Sequence, residues 1–383
     1  MTIIIIAIVC ILSLAYLLFA AVCMEKFHMS RTNSLPPPSF HPPVTILKPV
    51  CGLDTETADN LRSFCEQDYP VFQVIFGIQD ESDPAVPIIR KIIKDFPERD
   101  ITLVIDKRLH GNNYKISNLM NMLPQAKHGV FVIADDDMRV SRDYLNAVVP
   151  PLADDSVGVV TCLYSGSPRG GNVSALNAMF INEWFLPSVL ISHTLKNNRF
   201  CFGATMVIKR EILERIGGLD ALVHYLADDY MLGNLVAKLG YKIQLSHFVV
   251  ENVIKQTSFR SMLANELRWA RTMRTVQPLG YTFTFITDTL MAGFLLAGAL
   301  FLDTHLLVWP VFIVCFILLL RILFHLRVNT ILNTRHAGAI WLVPVRDVLT
   351  FLIRLVSYTG NRIKWRDNTF SVDNTGLIYT PVE

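Results

Sequence analysis

The stretch "VFVIADDDMRVSRDYL", residues 130–145, runs from an apolar segment directly into Asp135, Asp136 and Asp137. Its branched and aromatic side chains predict a buried β-strand. Adjacent carboxylates raise one another's pKa and cost stability unless a cation lies near them. Because alternate side chains of an extended strand point the same way, Asp135 and Asp137 are predicted to face one side. Two such oxygen donors suit Mg²⁺ or Mn²⁺ bound together with a substrate phosphate. A solvated acidic turn is the alternative explanation.

The region around this stretch alternates between strand-like and helix-like segments. The strand-like segments are "VTILKPV", "VFQVIFGIQ", "ITLVID" and "VFVIADDD", and each precedes a helical pattern. This alternation predicts an α/β fold with a mainly parallel, Rossmann-like sheet. Ligands bind beyond the carboxyl ends of such strands, where "GIQDESD" and "ADDDMR" fall. The sequence contains neither GxGxxG nor GxxxxGK[ST], which argues against a dinucleotide enzyme or a P-loop NTPase.

Residues 3–23 are uncharged and reach the roughly 20 residues that span a bilayer. Met24 and Glu25 stand where a signal peptide would have a cleavage motif, so we expect an uncleaved anchor. The net charge of only +2 and the mean hydropathy of +0.37 point to lipid rather than to nucleic acid.

Further apolar segments lie at about 285–302 and 305–326. A third segment, residues 337–357, contains Arg346, Asp347 and Arg354, and is predicted to re-enter the membrane or lie at its surface rather than span. We therefore expect four regions along the chain. These are an anchor (1–24), a proline-rich linker (25–43), a soluble domain (44–280) and a C-terminal membrane region (281–383).

Basic residues flank the central region on both sides and include Lys26, Arg31 and Arg268. Since basic residues accumulate on the cytoplasmic side of membrane segments, residues 24–283 are expected to face the cytoplasm.

Two further groups of residues combine charge with helical spacing. Asp228 and Asp229 open a helical stretch, where they either cap the helix or supply a general base. In "NELRWARTMR", Arg268 and Trp269 either mark a membrane border or contact a diphosphate and form a wall of an acceptor pocket.

The segment 172–192, "NVSALNAMFINEWFLPSVLIS", is too polar to span a membrane. It either lies on the membrane, lines a lipid entrance or packs in the core.

Together these pieces resemble family-2-like, metal-dependent glycosyltransferases of the GT-A fold. They are more similar to the ceramide glucosyltransferase branch, which includes glycosyltransferases of hopanoid biosynthesis. The resemblance extends over nearly the whole chain and includes the segments "LKPVCGLD", "GNNYKISNL", "FVIADDDMRV", "FCFGATMVIKREILERIGG", "YLADDYML" and "ELRWART".

This resemblance implies roles for individual residues. Asp229 matches the catalytic base, and Arg268 with Trp269 matches the end of a (Q/R)xxRW signature. Asn265 departs from the first position of that signature, and its shorter side chain puts the contact expected there in doubt. Asp135 and Asp137 match the metal and diphosphate D-x-D. The nucleotide-sugar residues would be Asp80, Asp83, Asp135 and Asp136. Lys115 and Asn118 of "HGNNYKISNL" are further candidates from the residues themselves, since a lysine that opens a helix either neutralises a phosphate or is simply solvated.

The implied activity is an inverting, Mg²⁺- or Mn²⁺-dependent transfer from a UDP-sugar to a hydroxyl of a membrane lipid. The expected reaction is transfer from UDP-N-acetylglucosamine to bacteriohopanetetrol in a bacterial inner membrane. The alternatives are a ceramide glucosyltransferase that uses UDP-glucose, a processive polysaccharide synthase, and a non-catalytic membrane protein that binds a nucleotide or a lipid.

Overall fold

The computed structural model describes the chain except residues 33–39, 197, 256–257, 335–339, 361, 366–367, 374–375 and 380–383. The chain forms two compact units. The helical unit comprises Met1–Thr32, Gly166–Leu195 and Gln256–Thr375, and the sheet unit comprises Asn33–Ser165, Lys196–Lys255 and Gly376–Glu383. This division differs from the predicted soluble domain over residues 44–280, because residues 166–195 and 256–280 belong to the helical unit.

The elements are numbered in chain order. The helices are α1 (Thr2–Thr32), α2 (Thr57–Cys65), α3 (Val86–Asp95), α4 (Tyr114–Met122), α5 (Tyr144–Val148), α6 (Asn172–Phe180), α7 (Leu186–Thr194), α8 (Arg210–Arg215), α9 (Asp228–Lys238), α10 (Phe259–Val276), α11 (Pro278–Phe283), α12 (Thr289–Thr304), α13 (Val308–Leu332) and α14 (Leu342–Ser357). The strands are β1 (Val44–Pro49), β2 (Phe72–Ile78), β3 (Asp100–Ile105), β4 (Val130–Ile133), β5 (Met138–Arg139), β6 (Val157–Pro168), β7 (Met206–Lys209), β8 (Lys242–Ile254), β9 (Arg362–Trp365), β10 (Asn368–Val372) and β11 (Ile378–Tyr379).

The sheet has eight strands in the order β3-β2-β1-β4-β7-β6-β8-β5. Strand β1 pairs in parallel with both β2 and β4, and β2 pairs in parallel with β3. Beyond β4 the pairing changes, because β7 runs antiparallel to both β4 and β6. The predicted α/β fold is confirmed, and the four strand-like segments of the sequence form its parallel half.

Strands β2 and β4 are buried on both faces, which explains why these two strands are apolar at nearly every position. Successive side chains of β4 enter two different cores. Val130 and Val132 belong to one hydrophobic cluster, whereas Phe131 and Ile133 belong to the other. The period of two expected for a strand therefore distributes one apolar run between the two layers of helices.

The helical unit contains helices with the length and apolar composition of membrane spans. Two helices qualify on their own, α1 and α13, and the bent pair Pro278–Thr287 and Thr289–Thr304, which turns by 61°, could supply a third. Helix α1 continues to Thr32, so residues 25–32 are helical rather than part of a linker. Residues 33–39 of the predicted linker lie outside the described part of the chain. The chain is a membrane protein.

Helix α14 covers most of the third predicted membrane segment. It has 16 residues and buries Arg346 and Arg354, and it is not one of the candidate spans found among the described residues. The prediction that this segment lies at the interface or re-enters therefore stands as a prediction.

Gly233 determines how closely α9 packs in the sheet unit. A β-carbon at this position would lie 2.6 Å from the Phe200 Cα and 2.7 Å from the Cys201 nitrogen. Because those atoms belong to the backbone, they cannot move aside as a side chain can. We expect Gly233→Ala to lower the free energy of unfolding by about 1–3 kcal/mol, measured by thermal unfolding of the purified protein in detergent.

Gly129→Ala is the matched control, since a β-carbon at Gly129 meets nothing within 4 Å. Its stability should stay within about 0.5 kcal/mol of the parent protein. Equal stability of the two variants would contradict the close packing of α9.

Candidate active site

The carboxyl ends of β1 and β4 lie at the same edge of the sheet because the two strands are parallel. Strand β4 ends at Ile133, and Asp136 and Asp137 form a turn that leads into β5. The prediction that Asp135 and Asp137 project from one side of an extended strand is therefore wrong about the local backbone. The chain leaves β4 here, because β5 pairs with β8 rather than continuing β4.

Each aspartate of this turn has a different partner. The Asp135 carboxylate lies 2.7 Å from the Lys115 ammonium group. Asp136 accepts a hydrogen bond from the Cys51 backbone nitrogen at 3.2 Å, and Asp137 accepts one from the Asn252 amide at 2.9 Å. The turn is thereby attached to the loop after β1, to α4 and to β8 at once.

Lys48 lies beneath the turn, and its side chain is fully buried in β1. Its ammonium group donates to the Asp135 carbonyl oxygen and lies 3.8 Å from the centroid of the Phe64 ring. Burial lowers the pKa of Lys48 to about 8, although the neighbouring Asp136 carboxylate opposes this shift. Sequence analysis did not single out Lys48. Its position as the single charged residue inside the apolar segment "VTILKPV" could have indicated a buried lysine.

The turn concentrates negative charge. Burial, followed by the charge of Asp137, raises the pKa of Asp136 to about 8. Burial, followed by the charge of Asp135, raises the pKa of Asp137 to about 6. A further positive charge at this turn would therefore be stabilising.

The described residues contain no group of three or more His, Cys, Asp or Glu side chains arranged to hold a metal ion. This finding is compatible with Mg²⁺ or Mn²⁺, since such ions use one or two carboxylates together with substrate phosphates and water. The chemistry of the turn fits that donor set: its oxygens are hard ligands, and neighbouring residues hold them in place.

Helix α9 brings a second acidic pair to the same place. Asp228 is buried and lies 3.0 Å from the Lys115 ammonium group, which also binds Asp135. Asp229 accepts hydrogen bonds from the Gly203 nitrogen at 2.9 Å and from the Tyr230 nitrogen at 2.7 Å. Lys115 therefore links acidic groups that lie more than ninety positions apart in the sequence.

Gly203 is a second residue that sequence analysis did not single out. Its carbonyl oxygen accepts from the Asp135 nitrogen at 3.1 Å, while its own nitrogen donates to Asp229. A β-carbon here would lie 2.5 Å from the Asp135 carboxylate and 3.1 Å from the Lys115 ammonium. A larger residue here would displace the Asp135 carboxylate. A glycine of this kind has no sequence signal beyond its identity.

The protonation of this cluster follows from its charges. Burial opposes the charge on Lys115, but Asp135, Asp228 and Asp229 together raise the pKa of Lys115 well above its usual value. Burial and then Asp228 raise the pKa of Asp229 to about 6, while Lys115 acts in the opposite direction. At neutral pH, Lys115 is protonated and Asp229 is mostly ionised.

Asp80 and Asp83 follow β2. Asp80 is exposed, and its carboxylate accepts from the nitrogen and the hydroxyl of Ser82, which lowers its pKa. Asp83 accepts from the Gly52 nitrogen at 2.7 Å and from the Ala85 nitrogen at 2.8 Å. Asp83 therefore joins the loop after β2 to the loop after β1, which also contacts Asp136 through Cys51.

Asn118 lies in the protein interior. Its amide donates to the Gly77 carbonyl oxygen at 2.8 Å, and the residue is only 4% exposed. This placement favours a structural role in attaching α4 to β2 over the predicted contact with a nucleotide sugar.

Arg268 and Trp269 lie on α10 of the helical unit, where the predicted helix is found. The Trp269 ring stacks on Phe180 with centroids 6.0 Å apart, and Phe180 stacks on Trp184 at 5.1 Å. Asn265, the departure from the signature, is exposed on the same helix. Trp269 is thus part of a row of aromatic rings.

Comparison with known proteins places the chain in a family. The profile of glycosyl transferase family 21 matches residues 5–378. The chain belongs to glycosyl transferase family 21. The predicted relationship to ceramide glucosyltransferases is confirmed, with this family in place of the broader family 2.

Two relatives come from Caenorhabditis elegans. Ceramide glucosyltransferase 3 is 23% identical over 350 residues, which cover 89% of this chain and 75% of the relative. Ceramide glucosyltransferase 1 is 24% identical over 293 residues, which cover 75% of this chain and 62% of the relative, or less than two thirds of its length.

A solved structure supports the fold. It is a mannosyltransferase from Pyrobaculum calidifontis in complex with GDP-mannose and Mn²⁺. The TM-score is 0.50 at 18% identity, with coverage of 91% of this chain and 99% of that chain. The sheet unit therefore has the GT-A glycosyltransferase fold that the sequence predicted.

The shared ammonium group of Lys115 predicts an unusual dependence of stability on pH. Lys115→Met leaves Asp135 and Asp228 without their common partner, and loss of one member of a buried pair costs about 3–5 kcal/mol. Lys115 lowers the pKa of the neighbouring Asp229, so that this pKa rises further when Lys115 is replaced. The loss of stability should therefore be largest at neutral pH and shrink as the pH falls and the carboxylates take up protons.

Thermal unfolding of the purified protein at about pH 7.5 and about pH 5.5 measures this effect. Lys127→Met is the matched control, because Lys127 forms a surface pair with Asp100 in which the two side chains are 58% and 38% exposed. The Lys127→Met variant should lose no more than about 1 kcal/mol of stability at either pH value. If Lys115→Met loses equally little stability, or loses more stability as the pH falls, then Lys115 is not the common partner of Asp135 and Asp228.

Proposed function

We propose that this protein is a membrane glycosyltransferase that transfers a sugar from a UDP-sugar to a hydroxyl group of a lipid. The observation that carries the proposal is the convergence of Asp135 and Asp228 on one buried ammonium group, with Asp229 beside them. Membership of a glycosyltransferase family and the presence of candidate membrane spans support it.

Asp229 is the general base in this proposal. It accepts backbone hydrogen bonds from Gly203 and Tyr230, which fix the carboxylate without protonating it. Its raised pKa makes it a stronger proton acceptor than an exposed aspartate. As Asp229 takes the proton of the lipid hydroxyl, the oxygen attacks the anomeric carbon from the side opposite UDP. One displacement inverts the configuration and requires no second carboxylate.

The departing UDP gains negative charge, which the protein has to stabilise. Lys115 remains protonated and lies between the two acidic pairs, where it can offset this charge. Asp135 and Asp137 would hold Mg²⁺ or Mn²⁺, which supplies positive charge to the diphosphate when it is bound. Arg268 is proposed to bind the diphosphate as well, and Trp269 to form a wall of the acceptor pocket.

The loops after β1 and β2 are proposed to bind the nucleotide. Asp83 and Asp136 hold the backbone of Gly52 and Cys51 from two sides, which fixes the loop at this edge of the sheet. The exposed Asp80 is the candidate for a direct contact with the nucleoside. The cytoplasmic orientation predicted for this unit would give it access to the UDP-sugar.

The relatives favour glucose and ceramide as the sugar and the acceptor, because both are named ceramide glucosyltransferases. The expected transfer of N-acetylglucosamine to bacteriohopanetetrol, and with it the bacterial inner membrane, has no specific support from the comparisons. Ceramide and bacteriohopanetetrol both present hydroxyl groups at a membrane surface, so one assay can compare them.

The decisive experiment measures transfer by the purified protein in lipid nanodiscs with Mn²⁺ and a radiolabelled UDP-sugar. UDP-glucose with ceramide and UDP-N-acetylglucosamine with bacteriohopanetetrol are tested side by side. Asp229→Asn should slow transfer by about 10²–10⁴-fold while UDP binding is retained, since only proton removal is lost.

Asp220→Asn is the matched control, because Asp220 is an exposed residue of the same unit and should leave the rate unchanged. Transfer that survives Asp229→Asn would remove the base assignment. A lack of transfer with every donor and acceptor pair, together with retained UDP binding, would favour the non-catalytic alternative.

The rate of transfer should also depend on pH through Asp229. Because its pKa is raised to about 6, the ionised form predominates above that value and is lost below it. Single-turnover rates should be level above about pH 7 and fall by about tenfold for each pH unit below about 6.

Asp137 has a similar pKa of about 6, so UDP binding has to be measured over the same pH range. If the rate falls only because UDP binding is lost, the titrating group is Asp137 of the turn after β4 rather than Asp229. A level rate across this range at saturating donor would exclude Asp229 as the base.

A further inference from the structure

Residues 376–379 of the sheet unit form a short segment, called the clasp segment below, that sequence analysis did not single out. It runs antiparallel to residues 222–227, the α9 loop, which leads directly into Asp228 and Asp229. Ile378 of the clasp segment is only 1% exposed. Because this segment packs against the chain just before the acidic pair, its contacts can determine where that pair lies.

Two backbone hydrogen bonds join the clasp segment to one edge of the α9 loop. The Ile378 nitrogen donates to the His224 carbonyl oxygen at 2.9 Å. The Leu226 nitrogen donates to the Gly376 carbonyl oxygen at 3.0 Å. The clasp segment therefore lies beside the loop in the way that an antiparallel strand lies beside its neighbour.

The other edge of the α9 loop bonds to Asn113. The Asn113 nitrogen donates to the Val223 carbonyl oxygen at 2.8 Å, and the Asn113 side-chain amide donates to the Tyr225 carbonyl oxygen at 2.8 Å. The same amide nitrogen lies 3.3 Å from the Asp228 carboxylate. The loop is thus held from two sides, because the carbonyl oxygen of the intervening residue His224 faces the clasp segment instead.

Asn113 also begins α4. Its side-chain oxygen accepts a hydrogen bond from the Ile116 nitrogen at 3.0 Å and so caps this helix. Lys115 follows two positions later, and its ammonium group lies 3.0 Å from the Asp228 carboxylate. A single buried side chain therefore joins the start of the helix that carries Lys115 to the start of the helix that carries Asp229.

Asn112 completes the arrangement. Its side-chain amide donates to the Ile378 carbonyl oxygen at 2.6 Å. A β-carbon on Gly111 would lie 2.9 Å from the His224 ring, so the chain before Asn112 also approaches the α9 loop closely. Residues 112–113, the α9 loop and the clasp segment are therefore each bonded to both of the others. A closed network of hydrogen bonds of this kind makes its members rigid.

We propose that the clasp segment is a positioning element of the candidate active site. Through the α9 loop and Asn112 it fixes the starts of α4 and α9, and with them the separation of Lys115 from Asp228 and Asp229. The clasp segment and Asn112 act through other residues, so they are positioning residues rather than catalytic ones. The effect on sugar transfer rests on the proposed function, whereas the positioning itself does not.

A designed disulfide tests the pairing directly. Tyr225 and Leu377 form the antiparallel pair that the two backbone hydrogen bonds flank. The Cα atoms of such a pair lie about 4.5 Å apart, which a disulfide can span. The double variant Tyr225→Cys, Leu377→Cys of the full-length protein in nanodiscs should cross-link under mild oxidation. Mass spectrometry identifies the joined peptides and distinguishes them from those of the native cysteines.

The matched control combines Tyr225→Cys with Lys238→Cys. Lys238 is exposed and ends α9, about 15 Å along the helix from its first residue. This pair should not cross-link.

Hydrogen exchange tests whether the contact holds the α9 loop in place. Asn112→Ala removes the side-chain bond to the clasp segment and should make exchange over residues 222–231 about fivefold faster. Asn146→Ala is the matched control, because the Asn146 amide also donates to a backbone carbonyl oxygen, that of Asp68, at 2.7 Å. It should leave exchange over residues 222–231 unchanged.

Kinetics separate positioning from stability where the parent protein transfers sugar. Asn112→Ala should lower kcat by about tenfold per molecule that binds UDP, and should change KM for the UDP-sugar by less than about twofold. A loss of stability alone would reduce the number of molecules that bind UDP without slowing each of them. The disulfide between positions 225 and 377 should keep kcat within about twofold of the parent value, since it holds the clasp segment where it already lies.

Each outcome supports or overturns the proposal. If the disulfide does not form, or if Asn112→Ala leaves exchange over residues 222–231 unchanged, the clasp segment does not hold the α9 loop. If exchange becomes faster while kcat per UDP-binding molecule is unchanged, the contact is purely structural. If kcat collapses when the disulfide forms, the clasp segment has to move during the reaction and is not a fixed support.

Two further results are interpretable. If Asn112→Ala does not fold, the double-cysteine protein decides the question, because oxidation should raise its kcat above that of the reduced form and no rise would contradict the proposal. If the parent protein transfers no sugar, the proposed function is refuted, and the cross-link and hydrogen exchange then decide the positioning on their own.

Discussion

Carboxylates repel one another more strongly when they are buried, and this chain buries several of them at one edge of its sheet. Lys115 makes that arrangement stable, because its single ammonium group lies within 3.0 Å of both Asp135 and Asp228. Lys48 plays a comparable part beneath the turn after β4, where it binds a carbonyl oxygen. The turn after β4 and the start of α9 are therefore both held by buried cations.

The sequence predicted the parallel half of the sheet because each of its strands is a local apolar run followed by a helical pattern. The antiparallel half was not predicted. Strand β5 has only two residues, and its pairing with β8 connects positions more than a hundred residues apart. Such pairing is set by the whole fold, so a short window of sequence carries little information about it.

The candidate site was predictable in composition but not in geometry. The aspartates were recognised because clustered charges at a strand end are unusual. The turn at Asp136 was missed, since the pattern gives no sign that the extended backbone ends there. Lys48 and Gly203 were missed for a related reason: their importance lies in what surrounds them. The π-helical turn at Ile181–Phe185 differs from an α-helix by one hydrogen-bond step, and apolar periodicity does not reveal it.

The helical unit is assembled from three separate stretches of chain, and this has a consequence for its biosynthesis. Glu183 and Arg321 form an ion pair and are separated by 138 residues. At about 5–20 residues per second, the ribosome needs about 7–28 s to make Arg321 after Glu183. During this interval the carboxylate has to remain in contact with water or with the insertion machinery, because its partner does not yet exist. Synthesis of α13 therefore sets the earliest time at which the nascent chain can complete this ion pair.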